Sequence, residues 1–149
     1  MSSVMTLKYP ITFIDNPTEQ DHSVLFNGIN AFAVSQGLKA TAGGYFFAVY
    51  DDTNTMVAAI SGFDNFGPVE IGGLWVHERL RGNGYGRALV QKAEEWGRAK
   101  GCASITVFTL KQWPAYAWYQ ALGFTLEFER AGHANNMVGC YLIKKFPVY

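Results

Sequence analysis

LWVHERLRGNGYGRAL, residues 74–89, carries three glycines where a helix should begin. Gly82, Gly84 and Gly86 follow a strand-like Leu74-Trp75-Val76 and precede the helical run Ala88-Leu89-Val90-Gln91-Lys92-Ala93. A glycine inside a helix costs about 1 kcal/mol relative to alanine, so the cluster needs a physical reason. A helix N-terminus offers unpaired N–H groups and a partial positive charge, and together these bind phosphate. Glycines let the backbone come close and remove side chains that would block it. A diphosphate held by bare amides is one reading of the stretch; a flexible loop ahead of a helix is the other.

Two phosphate motifs are excluded by the residues themselves. A Walker loop ends in Gly-Lys-Ser/Thr, whereas Gly86 is followed by Arg87-Ala88. A dinucleotide fingerprint needs G-x-G-x-x-G, and the third slot holds Arg87 or Leu89, depending on the starting glycine. What remains is R-x-x-G-x-G, formed by Arg81, Gly84 and Gly86.

The chain around this motif has 149 residues, 49% of them hydrophobic, with a formal net charge of zero. Length and composition suit one globular domain spanning residues 1–149, without repeats or linkers. No basic excess points to nucleic acid. The start MSSVMTLKYP does not read as a signal peptide, and no stretch approaches the roughly 18 apolar residues of a membrane span. These features imply the cytoplasm. Cys102 and Cys140 read as reduced, buried thiols, and His22, His77 and His133 show no metal-ligand spacing, so no metal is expected.

Period and punctuation give the order of elements. Lys8–Ile14 reads as an edge strand containing Pro10, and Thr18 with Asp21 caps a helix that Gly37 stops. Strands follow at Gly44–Tyr50, Thr55–Phe63 and Val69–Val76, the first two joined by a turn at Asp51–Asn54. The helix after the glycines runs to Lys100, with Tyr85, Leu89, Ala93 and Trp96 on its apolar face and an i,i+4 pair of Glu94 with Arg98. Ser104–Leu110 is a strand, Pro114 opens a short helix, and Phe124–Glu129 and Val138–Lys144 are strands around a turn at Gly132–Asn136. The class is mixed α/β with a central sheet: hairpins dominate the first half and one right-handed crossover sits in the middle.

With these residues in place, the sequence resembles the GCN5-related N-acetyltransferase (GNAT) superfamily. Arg81, Gly84 and Gly86 match its acetyl-CoA signature, Q/R-x-x-G-x-G/A. Tyr119-Gln-Ala-Leu-Gly123-Phe124 matches its Y-x-x-x-G-F segment, one strand further on, and Leu74-Trp75-Val76 matches the preceding strand.

The resemblance implies acetyl-CoA as co-substrate, a single α/β domain whose central, mixed and mostly antiparallel sheet splays midway with helices on both faces, and a site assigned residue by residue. The strand Leu74-Trp75-Val76 would run along the pantetheine arm, with the Leu74 N–H polarising the thioester carbonyl. Arg81, Gly82, Asn83, Gly84, Tyr85, Gly86 and Arg87 would hold the diphosphate. Gln112 stands in a slot that is often asparagine and contacts the cofactor. Glu70, eleven residues before Arg81, stands where one branch has its catalytic base; the competing reading is a solvent-facing glutamate. Simple strand alternation places Glu70 on the face of Gly72, Leu74 and Val76. Tyr119 matches the family's acid, against a reading as a core aromatic. His133, after Gly132, is expected to be an exposed turn residue.

The implied activity is transfer of an acetyl group to a primary amine, such as that of a small molecule, by direct attack in a ternary complex. A protein lysine or N-terminus is an alternative acceptor, and a non-catalytic acetyl-CoA sensor is an alternative class. Aromatic residues such as Phe66 and Trp113 are candidates to line an acceptor pocket or the face of a homodimer.

Overall fold

Turn residues divide the chain into elements very nearly where its apolar periodicity breaks. The computed structural model describes residues 6–147; the first five residues of the leader reading lie outside that range. The chain divides into two units, residues 1–40 and 41–149.

In the first unit, residues 8–14 form no strand. Pro10 has no N–H to give to a ladder. Helix α1 (Glu19–Ser35) starts at the expected capping box: the Asp21 N–H donates to Thr18 Oγ1 at 3.1 Å, and the Thr18 N–H donates to Asp21 Oδ2 at 2.8 Å. It ends at Gly37, whose φ of +85° lets Leu38 N–H reach Ala33 O at 3.0 Å and close the last turn.

The second unit is a six-stranded sheet with two helices. The strands are β1 (Gly44–Tyr50), β2 (Met56–Asp64), β3 (Pro68–Val76), β4 (Ser104–Leu110), β5 (Thr125–Arg130) and β6 (Gly139–Lys145). They lie in the order β1-β2-β3-β4-β6-β5. Only β3 and β4 pair in parallel; every other neighbouring pair is antiparallel. The sheet is therefore mixed and mostly antiparallel, as the sequence implied. Helices α2 (Tyr85–Ala99) and α3 (Pro114–Ala121) complete the unit.

The core forms where α2 meets the sheet. Leu89, Val90 and Ala93 are buried with Ile60, Val69, Ile71, Ile105 and Leu142. Gly97 explains itself here: a Cβ would stand 2.7 Å from Val69 Cγ1, so its absence lets helix and strand close. Tyr85 departs from the expected apolar face and is 37% exposed in the first turn. The expected Glu94–Arg98 pair is replaced. Glu94 accepts Lys144 Nζ from β6 at 2.9 Å, while the Arg98 guanidinium lies 4.8 Å from the Phe146 ring. Glu94 is the more buried partner, and a buried carboxylate is held by a cation that shares its burial. Both cysteines are buried, and no disulfide joins them. Among the described residues no helix is long and apolar enough to cross a membrane.

Candidate active site

Strands β3 and β4 pair only from Pro68 with Ser104 to Ile71 with Val107. Beyond that point both continue, to Val76 and Leu110, without pairing to each other. The sheet therefore opens between its third and fourth strands.

A bulge sets what lines the opening. Ser61 pairs with Gly73 and Gly62 with Ile71, leaving Gly72 as the extra residue on β3. The bulge reverses the alternation. Upstream, Val69 and Ile71 face α2 and Glu70 faces away; downstream, Leu74 and Val76 face α2, opposite Ile60 and Ala58. The expectation that Glu70 shares a face with Leu74 and Val76 is thus corrected: it stands on the opposite face, level with Phe63 and Thr106. One inserted residue inverts a period of two.

Glycine at position 62 makes this geometry possible. A Cβ there would collide with the Glu70 carbonyl and lie 2.5 Å from the Tyr45 hydroxyl. In its absence the Tyr45 hydroxyl passes under β2 and donates to Glu70 O at 2.9 Å. Tyr45 is buried, and burial first, then Tyr119 and Glu70, push its hydroxyl well above the ordinary tyrosine range. Nothing local in the sequence marks Tyr45, because the bond joins residues 25 apart. The Glu70 carboxylate accepts from Asn65 Nδ2 at 3.2 Å.

At the far end of β3, His77 N–H donates to Val57 O on β2. Strand alternation then turns the amides of Leu74 and Val76 the other way, into the opening. The Val76 carbonyl accepts from Arg81 Nε at 2.9 Å. His77 accepts the Arg79 N–H on its Nδ1 at 3.2 Å and caps the short 3₁₀ turn Glu78–Leu80. Asn83 folds back, its Nδ2 donating to the carbonyls of Leu80 and Arg81 at 3.1 and 3.2 Å.

The three glycines answer to different requirements. Gly82 and Gly84 have φ of +79° and +89°, which side chains rarely adopt. Gly86 has an ordinary φ but a close neighbour: its Cβ would be 3.0 Å from Trp118 Cζ2. Gly84 is the N-cap of α2 and offers no side-chain hydrogen bond to the helix. The first intrahelical bond runs from Ala88 N–H to Gly84 O, so the amides of Tyr85, Gly86 and Arg87 have no helical partner. A Cβ at Gly82 or Gly84 would meet nothing within 4 Å, so the space beside these two glycines is open. Open amides at a positive helix end and an unpaired strand edge fit a diphosphate with an extended amide-bearing arm.

Tyr119 lies on α3 at 5% exposure, within the core shared by Leu89, Val107 and Phe124. It is thus on the α2 side of the sheet. Its ring meets Trp118 and Phe124 edge-on at 5.0 and 5.3 Å. Burial pushes its hydroxyl up to about 12, so it stays protonated at neutral pH. Gln112 does not point freely into the opening: its Oε1 accepts the Val138 N–H at 3.2 Å. His133, expected to be an exposed turn residue, packs on Phe108 at 5.2 Å between ring centroids, with Nε2 buried against Gly139 and unpaired among the described residues. Among the described residues no His, Cys, Asp and Glu side chains cluster as metal ligands.

Residues 8–124 match the model of the acetyltransferase (GNAT) family. The chain belongs to that family and is an acetyltransferase by that membership. No curated protein matches it. Its fold is similar to that of an Agrobacterium tumefaciens protein assigned as an acetyltransferase, at 21% identity and a TM-score of 0.73, over 93% of this chain and 100% of that one. An acetyltransferase from Bacillus cereus is similar at 21% identity and a TM-score of 0.67, over 91% and 98%. A Bacillus anthracis protein assigned as a streptothricin acetyltransferase, solved with acetyl-coenzyme A, is similar at 17% identity and a TM-score of 0.65, over 74% and 67%.

Proposed function

We propose that this protein transfers the acetyl group of acetyl-CoA to a primary amine of a small molecule, by direct attack within a ternary complex. The observation that carries this reading is the placement of Glu70 and Tyr119 on opposite faces of the sheet, Glu70 standing one residue before the last pair ahead of the strand opening. An amine attacking a thioester must lose a proton on the side from which it comes, and the sulfur must be stabilised on the side to which it leaves. A base and a hydroxyl on opposite faces suit that sequence.

Acetyl-CoA supplies the activated acetyl group. The amides of Tyr85, Gly86 and Arg87 hold the diphosphate, and Leu74 and Val76 present N–H groups to the arm. The Leu74 amide also polarises the thioester carbonyl. Glu70 accepts the proton of the incoming ammonium, which a primary amine with a pKa near 10.4 carries at neutral pH. Phe63, opposite Glu70 on the same face, favours an acceptor with an apolar body. Tyr119 donates a hydrogen bond to the departing sulfur. A thiol has a pKa of about 8.5, so its thiolate is a weaker base than a phenolate whose hydroxyl titrates near 12. A shared hydrogen bond therefore costs less than full transfer of the tyrosine proton.

The test is a screen of primary amines with acetyl-CoA, following release of free thiol. Amine-dependent release is the expected result. Tight coenzyme A binding without release, across small amines and peptides alike, would instead assign the protein as a sensor.

A further inference from the structure

Trp118 reaches three parts of the site from a single position on α3. The edge of its six-membered ring lies against Gly86, where a Cβ would be 3.0 Å from Cζ2 and 3.3 Å from Cη2. Val76 Cγ2 converges on the same point, at 3.8 Å. Behind it, the Tyr119 ring stands edge-on at 5.0 Å. The indole therefore sits between the first turn of α2, the unpaired end of β3 and the hydroxyl-bearing ring.

Its N–H is on the ring edge that carries Cζ2. That N–H makes no hydrogen bond among the described residues, yet it is not sealed from solvent. Tryptophan in a partly buried position ordinarily finds a partner for this donor. Beside the ring lie the helix mouth, with the free amides of Tyr85, Gly86 and Arg87, and the edge of β3, which offers amides together with carbonyls such as that of Val76. An indole N–H with no protein acceptor, next to the free amides of a helix mouth, is complementary to a ligand rich in acceptor oxygens.

We infer that Trp118 is a cofactor-positioning residue: its ring fixes the width of the channel at Gly86 and Val76, and its Nε1–H donates to an oxygen of the pantetheine–diphosphate arm. The inference rests on the acetyl-CoA reading above and assigns a contact that the glycine motif does not contain. It also gives Gly86 a second role, as the position whose missing Cβ admits the indole.

Trp118→Phe keeps an apolar ring and removes the donor. The experiment measures coenzyme A affinity by calorimetry, and steady-state kinetics with two donors: acetyl-CoA and S-acetyl-N-acetylcysteamine, which lacks most of the arm. Trp118→Phe is expected to weaken coenzyme A binding about tenfold, the size of one good hydrogen bond. KM for acetyl-CoA should rise in step, with kcat within about threefold and turnover of the truncated donor unchanged. Gly86→Ala should weaken coenzyme A binding by crowding the indole, and adding Trp118→Phe should restore part of that loss. Unchanged affinity in Trp118→Phe, or an equal loss with both donors, overturns the inference; the latter marks a purely structural role. A wild-type protein that fails to bind coenzyme A removes the acetyltransferase reading itself, a distinguishable outcome.

Discussion

The Tyr45 hydroxyl donates to the Glu70 carbonyl at 2.9 Å, passing beneath a strand that has a glycine at the crossing point. The bond ties β1 to β3 across β2, just upstream of the bulge at Gly72 that turns Glu70 away from α2. The position of the proposed base thus depends on a hydroxyl in a different strand and on a missing Cβ in a third.

Tyr45→Phe should lower unfolding free energy by about 1 kcal/mol, the net value of one such hydrogen bond. Gly62→Ala should cost more, about 2 to 4 kcal/mol, because its Cβ displaces backbone as well as the hydroxyl. Urea denaturation of both variants checks the order. Equal losses would show that the strand crossing accommodates the added methyl group.

Gly84→Glu should abolish stabilisation by coenzyme A, because it places a carboxylate at the open amides of α2. Gly84→Ala is the control. Both variants incur the strain of a left-handed φ, about 1 to 2 kcal/mol, but only one adds the charge. Thermal unfolding with and without coenzyme A separates them: Gly84→Ala keeps a cofactor-dependent rise in Tm, and Gly84→Glu loses it.

Tyr119→Phe should reduce kcat by about tenfold to a hundredfold, the size of one hydrogen bond to a charged group, with little change in coenzyme A affinity. Burial holds the hydroxyl near 12, so it stays protonated from pH 6 to 9 and the loss should be uniform over that range of roughly three units. A deficit that appears only at one end of the profile would assign the titration to another group.

Glu70→Gln should lower kcat/KM at neutral pH by about a hundredfold or more, in the range of general-base contributions. The coenzyme A affinity should be unchanged, since Glu70 faces away from α2. Rates that recover as pH approaches the amine's own pKa would confirm that the lost function is proton removal.

Asp64 provides a pH-dependent stability test away from the chemistry. Its buried carboxylate accepts from the amides of Ala42 and Gly67 at 2.9 and 3.0 Å and faces Cys102 Sγ at 3.5 Å. Burial raises its pKa, but the two amides and the thiol outweigh that and leave it lowered. A depressed folded pKa means that the stabilisation is complete above the unfolded value of about 3.9 and is lost as pH falls through the folded one. Asp64→Asn should therefore cost about 1 to 3 kcal/mol at pH 7, and the difference from wild type should shrink as pH falls below about 4.

Much of the site was legible in the one-dimensional order because its parts are local. R-x-x-G-x-G marks a helix mouth by its own backbone requirements, and Gly82 and Gly84 carry the positive φ that their residue type permits. The pairs Thr18–Asp21 and Gly37–Leu38 bounded α1 for the same reason: caps are made by neighbours three to five residues apart. The Lys8–Ile14 pattern, by contrast, had strand-like residues, yet no ladder formed there. A strand exists only with a partner.

The chain's own order determined where α1 and α2 open and which residue types stand at the mouth of α2, because these follow from short-range backbone geometry. Tertiary structure alone decided the rest. The bulge at Gly72 reversed the face of Glu70, Tyr45 reached Glu70 beneath Gly62, Lys144 displaced Arg98 at Glu94, and Trp118 came to rest against Gly86. Each of these depends on strand register and helix docking, which join residues tens of positions apart and which no local pattern encodes.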